Sequence, residues 1–474
     1  MNREAIPTER KLLESKLTEA GHIALAIQKA GGKALVVGGF ARDEVMRRLG
    51  MTTGDSKDVD IEVYGIPFPL LQESLAPFGN LNLVGESFGV IKLGDFDISI
   101  PRRDSKTGKG HKGFSIEGDP HMMPREAAKR RDLTINSIAI DPLTGDIVDE
   151  YGGVEDLKNK LLRATDLELF GDDPLRVLRL MQFAGRFGFG VEEQTMALAK
   201  SLPIEELPAE RITEEWRKLL LKSERPSMGL EVACQLDIIK KLHPELHALI
   251  GIPQEPEWHP EGDVWTHTCM VIDVAAEIIR RENLSEEEAL VVMVAALCHD
   301  LGKATSTEYK ANKQGDMAWR AHEHSEAGIE PAKQFLGRMM FGKDLNDKIA
   351  PLIREHLFPS QNPEASEASV RRLSHRLAPA TIQELVMVGE SDQMGRGTPR
   401  RKYTEGTTLL ATAAKLGIKE GQPERILMGR HLIEMGMKPG PGFKKILDQV
   451  FEAQLEGKVV SVEEAKTMAQ TFQS

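Results

Sequence analysis

The residues best suited to chemistry in this chain are a glycine pair and a nearby pair of aspartates. Gly38-Gly39-Phe40-Ala41-Arg42-Asp43 follows Lys33-Ala34-Leu35-Val36-Val37, and Asp58-Val59-Asp60 comes shortly after. The segment Lys33–Val37 reads as a buried strand. Glycines at its end let the backbone approach a phosphate closely, and the helix start that follows favours an anion. Val59, Ile61 and Val63 then alternate with Asp58, Asp60 and Glu62. Side chains two apart on a strand share a face, so Asp58 and Asp60 point the same way. Aligned carboxylates beside a phosphate site suit Mg²⁺, which prefers oxygen. Taken singly, each motif has an ordinary reading, a solvated acidic strand or a plain helix start. The order strand, glycine turn, helix, D-x-D strand is far rarer than its parts.

A third carboxylate fits the same geometry. Asp95-Phe96-Asp97-Ile98-Ser99-Ile100 alternates again, which puts Asp97 and Ser99 on the polar face. On a strand beside the first, Asp97 can join the metal pair or take the proton of an attacking hydroxyl. The alternative is an ordinary half-exposed strand. A separate constellation lies in the second half. It runs Trp265-Thr266-His267, Leu297-Cys298-His299-Asp300-Leu301-Gly302-Lys303, His322-Glu323-His324, Arg354-Glu355-His356 and Ser391-Asp392. Histidine and aspartate at separated sites, mostly on helices, suit a metal held inside a helical bundle.

The front half resembles the class II tRNA nucleotidyltransferases, the CCA-adding enzymes of the DNA polymerase β superfamily. The motifs come in order: GG-x-x-R-D, D-x-D, Arg130-Arg131-Asp132-Leu133-Thr134-Ile135-Asn136, Asp172-Asp173-Pro174-Leu175-Arg176 through Arg179, and Glu210-Arg211-Ile212. The likeness spans roughly residues 30–225. It implies Asp58, Asp60 and Asp97 as catalytic, with Mg²⁺ on Asp58 and Asp60. It implies nucleotide contacts at Gly38, Gly39, Arg42, Arg131, Asp132, Asn136, Asp173, Arg176 and Arg179. In this family a D-x-x-R pair acts as a protein template for the incoming base. An aspartate can accept from an exocyclic amino group, and an arginine can donate to the same base edge. Asp173, Arg176 and Arg179 are spaced three apart, which puts them on one helix face, with Pro174 in the first turn and Asp172 or Asp173 as its cap. The family usually has Glu-Asp where this chain has Asp172-Asp173. The rear half resembles the HD phosphohydrolase superfamily. His267, His299, Asp300 and Asp392 match its H…HD…D pattern, and His324 and His356 match additional ligand positions of two-metal members. Such mixed ligands suit a divalent transition metal such as Mn²⁺, Ni²⁺ or Co²⁺. His322 is an alternative to His324, but the spacing of His324 to Gly328 fits better. Relatives with this domain act on phosphate esters or 2′,3′-cyclic phosphates, and the segment Gly251–Asp263 resembles their junction.

The elements needed to position these residues define an α+β chain. A small mixed-sheet palm covers 1–165. An all-helical neck with the template helix covers 166–250, a helical HD part 251–400, and a C-terminal helical segment 401–474. Residues 4–30 read as an opening helix. Pro101–Gly113 is basic, glycine-rich and without periodicity, so it reads as a mobile loop, and the family carries a C-to-A switching loop there. The chain has 474 residues and 41% hydrophobic content, enough for several domains and a sizeable core. No run of eighteen apolar residues predicts a membrane span. The charged N-terminus has no signal-peptide core, and Cys234, Cys269 and Cys298 form no C-x-x-C, which suits buried thiols in a reducing cytoplasm. The net charge of −12 confines any grip on RNA to local basic surface, and residues 101–131 hold nine Lys or Arg against four Asp or Glu. The expected partners are tRNA, CTP and ATP; neither a membrane nor an obligatory protein partner is expected. The alternatives are a poly(A) polymerase or CC-only enzyme, or an HD phosphohydrolase whose front half binds RNA.

Overall fold

A computed structural model describes residues 7–51, 58–84, 89–106, 114–311, 315–399 and 402–472. The chain forms two compact units. The first holds residues up to Glu215, with Lys222–Glu224 and Met228–Ile238; the second holds the rest.

The first unit is built on a mixed sheet. Its elements are α1 (Pro7–Lys29), β1 (Lys33–Val37), α2 (Gly38–Arg48), β2 (Val59–Tyr64), α3 (Phe68–Leu75), β3 (Asn82–Val84), β4 (Val90–Leu93), β5 (Phe96–Ser99), β6 (Arg102–Lys106), β7 (Phe114–Gly118), α4 (Pro124–Lys129), β8 (Ala139–Ile140) and β9 (Ile147–Val148). The strand order is β3-β4-β5-β2-β1-β8-β9. β1 and β2 are antiparallel, with Val37 opposite Asp60. β2 and β5 are parallel, with Asp60 beside Asp97. Val59, Ile61, Val63 and Ile98 are fully buried on the covered face. Alternation therefore puts the carboxylates on the other face. α1 lays Ala20, Ile23, Ala24 and Ile27 inward, the spacing of one helix stripe.

The expected loop from Pro101 to Gly113 is corrected in part. Arg102–Lys106 is a strand paired antiparallel with Phe114–Gly118, from Arg102 opposite Gly118 to Lys106 opposite Phe114. A two-stranded ribbon needs only backbone pairing, so the missing hydrophobic alternation was a poor guide. Residues 107–113 lie outside the described residues.

After α5 (Gly153–Lys158) and α6 (Leu167–Phe170), the chain turns helical with α7 (Leu175–Phe187). Pro174 sits just before α7 rather than in its first turn, and α7 has no side-chain cap at that position. Asp173 Oδ1 still accepts from the Leu175 N–H at 3.1 Å. Two short β pieces interrupt the helices: Leu161–Leu162 with Gly190–Val191, and the ribbon of Thr307–Ala311 with Met317–Ala321.

The second unit packs helices around the buried faces of Val264–Arg281, Glu286–Cys298 and Ile382–Met394. Their starts are legible in the sequence. Asp263 caps the first, while Ser285–Glu288 and Thr381–Glu384 form capping boxes on the other two. Ala289–Cys298 is buried on every side. Glu286–Ser306 is long and apolar enough to cross a membrane by length and composition, but 78% of that window is buried inside the protein. That is the pattern of a core helix. At the C-terminal end, Leu427, Leu432, Met437 and Val450 gather a small core with Gly442–Leu455 and Val462–Thr471.

Candidate active site and metal centre

The palm site grows from the junction of β1 and α2. Gly38 has φ of +71°, a conformation that disfavours side chains. A Cβ there would stand 2.9 Å from Asp60 Oδ2 and 3.4 Å from Arg131 Nη1. Backbone at the helix start thus touches the carboxylate site directly. Gly38→Ala should cost only about 1–2 kcal/mol of stability through backbone strain. It should lower nucleotide transfer more, about a hundredfold, because the methyl group displaces Asp60. A thermal melt beside a CTP-incorporation assay separates the two effects.

Asp58 and Asp60 flank the start of β2, and Asp97 is the register partner of Asp60. Lys92 pairs with Asp97 at 3.5 Å, and Arg131 pairs with Glu62 at 3.1 Å. The Asp60 side chain still meets solvent, yet the protein crowding it raises its carboxyl above the usual range. Arg131 counters that rise, while Asp97, Glu62 and Asp58 add to it. Clustered carboxylates of this kind are relieved by a divalent cation, and an all-oxygen donor set suits a hard one. Glu62, on the same strand face, was not singled out from the sequence.

Arg42 takes a different place. It is buried, with Nη1 donating to Asn136 Oδ1 at 2.7 Å and Nε to Asp43 at 2.8 Å. Its guanidinium lies over the rings of Phe183 and Phe187 at 5.3 and 4.8 Å. It joins α2 to α7 from within. Asp132 does related work. It accepts from Arg179 Nε at 2.6 Å, Asn136 Nδ2 at 2.9 Å and the Leu133 N–H at 2.9 Å. Burial opposes its charge, but Arg179 and Asn136 outweigh burial and hold its carboxyl below the usual range.

The other α7 residues are held separately. Arg176 donates to the carbonyls of Leu169 and Arg130 at 2.8 and 2.6 Å. Asp173 accepts from both Nη atoms of Arg211 at 2.8 and 3.2 Å. Arg211 stood in a quoted motif without a role. A partner from another helix leaves no spacing signal.

In the second unit the structure brings together every histidine and aspartate proposed for the HD site. His267, His299 and Asp392 offer ligand atoms within 4.8 Å of one another, as do Asp300, His324 and His356. His267 Nε2 lies 3.1 Å from Asp392 Oδ1 and 3.8 Å from Asp300 Oδ2. His324 Nε2 lies 3.4 Å from both Asp300 Oδ1 and His356 Nε2. Their other ring nitrogens are fixed outward. His299, His324 and His356 each turn Nδ1 to a backbone carbonyl, at 2.7, 2.8 and 2.7 Å. His267 turns Nδ1 to Glu261 at 2.8 Å. Anchored Nδ1 atoms and converging Nε2 atoms are the arrangement by which imidazoles bind metal. His299 Nε2 is fully buried and makes no well-formed hydrogen bond, with Asp300 Oδ2 3.2 Å away, so its lone pair is directed at the cluster as a metal ligand's is. Burial and neighbouring His299 push His356 down to about 4, so it is neutral and its lone pair is free at neutral pH. Burial opposes the charge of Asp300, but His299 and Lys303 hold it well below the usual range. His322 is exposed, and His324 alone of the two joins the cluster.

Supporting residues were missed in the sequence. Glu261 also accepts from His259 at 2.8 Å. Lys303 bonds Asp300 at 2.7 Å and Gln254 at 2.8 Å. Arg396 reaches Asp392 at 3.3 Å. The last two had a signal, spacings of three and four from a ligand on a helical stretch. Glu261 had none, because its contacts come from the turn before a helix.

Comparison with known proteins agrees with this geometry. Residues 34–163 match the Poly A polymerase head domain, 188–250 the probable RNA and SrmB-binding site of polymerase A, and 264–415 the HD domain. The "Multifunctional CCA protein" of Stenotrophomonas maltophilia (strain K279a) is 35% identical over 393 residues, spanning 80% of this chain and 90% of that one. That of Xanthomonas campestris pv. campestris is 32% identical over 455 residues, spanning 92% and 100%. The fold is shared with the Bacillus stearothermophilus CCA-adding enzyme in complex with CTP. That match has a TM-score of 0.64 and 22% identity, covering 96% of this chain and 98% of that one. It is also shared with the Thermotoga maritima CCA-adding enzyme complexed with tRNA, at a TM-score of 0.58 and 19% identity, covering 100% and 97%. Fold and site together define a nucleotidyltransferase palm carried with an HD domain. The chain belongs to the class II CCA-adding enzymes that carry an HD domain. Both domains imply dependence on divalent metal.

Proposed function

We propose that this chain adds CCA to the 3′ end of tRNA from CTP and ATP, without a nucleic-acid template. The observation that carries it is the Asp58–Asp60–Asp97 cluster against the Gly38 helix start, in a chain matched along its length by multifunctional CCA proteins. Asp58 and Asp60 would hold Mg²⁺, which would supply charge neutralisation for phosphoryl transfer. Asp97 joins them as a further ligand or accepts the proton of the tRNA 3′-hydroxyl as that oxygen attacks the α-phosphate and pyrophosphate leaves. Arg131 adds positive charge beside the same site. Gly38 and Gly39 give the triphosphate access to backbone N–H groups, and Arg42, Asp132, Asn136 and Arg179 fix α7 against the palm. The four-part division at 165, 250 and 400 is the working map, and the cytoplasm, with its tRNA pool and reduced thiols, is the proposed location.

Asp173 and Arg176 read the incoming base, with Arg211 orienting Asp173. Asp173→Ala or Arg176→Ala should relax discrimination against UTP and GTP by about tenfold to a hundredfold. Affinity for the triphosphate itself should change less, because the phosphates bind at the palm. Competition between labelled CTP and UTP measures this. Unchanged exclusion of UTP and GTP would remove the template role.

The HD site is a second activity in this reading, hydrolysis of phosphate esters or 2′,3′-cyclic phosphates. His267, His299, Asp300 and Asp392, with His324 and His356, would hold one or two cations of the Mn²⁺, Ni²⁺ or Co²⁺ class. Mixed imidazole and carboxylate donors favour these over Mg²⁺. A poly(A) or CC-only enzyme would share the palm motifs, and the products formed from trimmed tRNA distinguish them.

A further inference from the structure

The ribbon Thr307–Ala311 and Met317–Ala321 joins two metal-ligand segments of the HD site. It leaves the stretch that carries His299 and Asp300, and it returns directly into His324. Its base is locked to the centre. The Ala321 carbonyl faces His324 Nδ1 at 2.8 Å, and the space at Gly302 is closed by the His324 carbonyl, which would stand 2.0 Å from an added Cβ. The Trp319 N–H donates to Glu255 Oε2 at 3.0 Å, and the neighbouring Gln254 holds Lys303, which holds Asp300.

Tyr309 and Trp319 are register partners on this ribbon, their rings 5.0 Å apart and tilted by 49°. They stand two residues up from the base pair Thr307–Ala321, about 7 Å at the usual strand rise. Tyr309 is 53% exposed and Met317 on the same face 50%, while Trp319 is half-buried. Cross-strand aromatic pairs do stabilise ribbons. A pair kept only for that purpose gains by being covered, and Tyr309 of this pair is left open. Glu308, Lys310 and Arg320 occupy the opposite face, so the aromatic face is the one free to stack.

We propose that Tyr309 and Trp319 form a stacking platform for the base of a terminal nucleoside phosphate whose phosphate group lies at the adjoining metal centre. The proposal rests on the phosphohydrolase reading of that centre. Aromatic rings accept any base, because every base offers a π-face. The platform therefore selects nucleoside phosphates over base-free phosphate esters, with little preference among bases.

The test uses the full chain loaded with Mn²⁺ or Ni²⁺ and two substrates, adenosine 2′,3′-cyclic phosphate and the base-free methyl riboside 2,3-cyclic phosphate. The intact chain should show a KM about tenfold lower for the base-bearing substrate. Tyr309→Ala and Trp319→Ala should erase that difference by raising its KM alone, with kcat on the base-free ester and bound metal unchanged. Trp319→Phe should restore it. Equal KM values in the intact chain, or variants that change both substrates alike, would overturn the platform. Where the intact chain hydrolyses neither ester, the phosphohydrolase reading fails by itself. The platform then stands or falls on calorimetric titration of adenosine 3′-phosphate. About tenfold weaker binding by Tyr309→Ala sustains it, and equal binding overturns it. A short RNA ending in a 2′,3′-cyclic phosphate, run beside the free nucleotide, tells an RNA end from a mononucleotide by which has the lower KM.

Discussion

Asp58→Ala or Asp60→Ala should abolish nucleotide transfer, by on the order of a thousandfold or more, while tRNA binding persists. The reason is electrostatic. Asp60 sits beside Asp97 across parallel strands and beside Asp58 along its own. The protein around it and these like charges already raise its carboxyl above the usual range. A divalent cation held there would relieve that repulsion and supply positive charge against the triphosphate. Removing either aspartate weakens the cation and the alignment together. Affinity for tRNA comes from basic side chains, since phosphate contacts dominate binding to nucleic acid. Filter binding at fixed salt, run beside CTP incorporation, measures the two quantities. Near-normal transfer by either variant would remove these residues from the mechanism.

The second large effect belongs to the other compact unit. His299→Ala or Asp300→Ala should strip divalent metal from the HD site and remove the proposed phosphoesterase activity, yet leave CCA addition within about twofold. His299 and Asp300 follow directly on the buried helical stretch Ala289–Cys298 and cluster with His267, His324, His356 and Asp392. Losing one of these ligands leaves the others as buried polar groups with no cation to satisfy them. The palm carboxylates belong to a different unit and share no ligand with this cluster. Metal content by elemental analysis, hydrolysis of a 2′,3′-cyclic phosphate and CTP incorporation are measured on the same preparations. Variants that stay folded but lose nucleotide addition would refute the independence of the two sites.

Much of both sites was legible because their geometry is local. Alternation in Asp58–Glu62 and Asp95–Ile100 gave the polar face, and the register of β2 against β5 follows the same alternation. The HD ligands were legible as an ordered set of residue types. The rest depends on contacts that spacing does not encode. Arg42 lies in a motif that suggests a ligand contact, but tertiary packing gives it Asn136, Asp43 and two phenylalanine rings. Asp173 and Arg176 share a spacing, yet their partners are Arg211, the nearby Leu169 carbonyl and the distant Arg130 carbonyl. Glu261 was overlooked because a turn residue that orients two histidines has no periodicity. Arg102–Lys106 was misjudged because a ribbon can pair through its backbone with no apolar face.

The central claim is tested most directly by the products. A tRNA trimmed of its 3′ end is incubated with the full chain, Mg²⁺, CTP and ATP, and the extended ends are sequenced. The expected result is two cytidines followed by one adenosine, then arrest. Ends that stop after two cytidines, a run of adenosines, or no incorporation at all would contradict it.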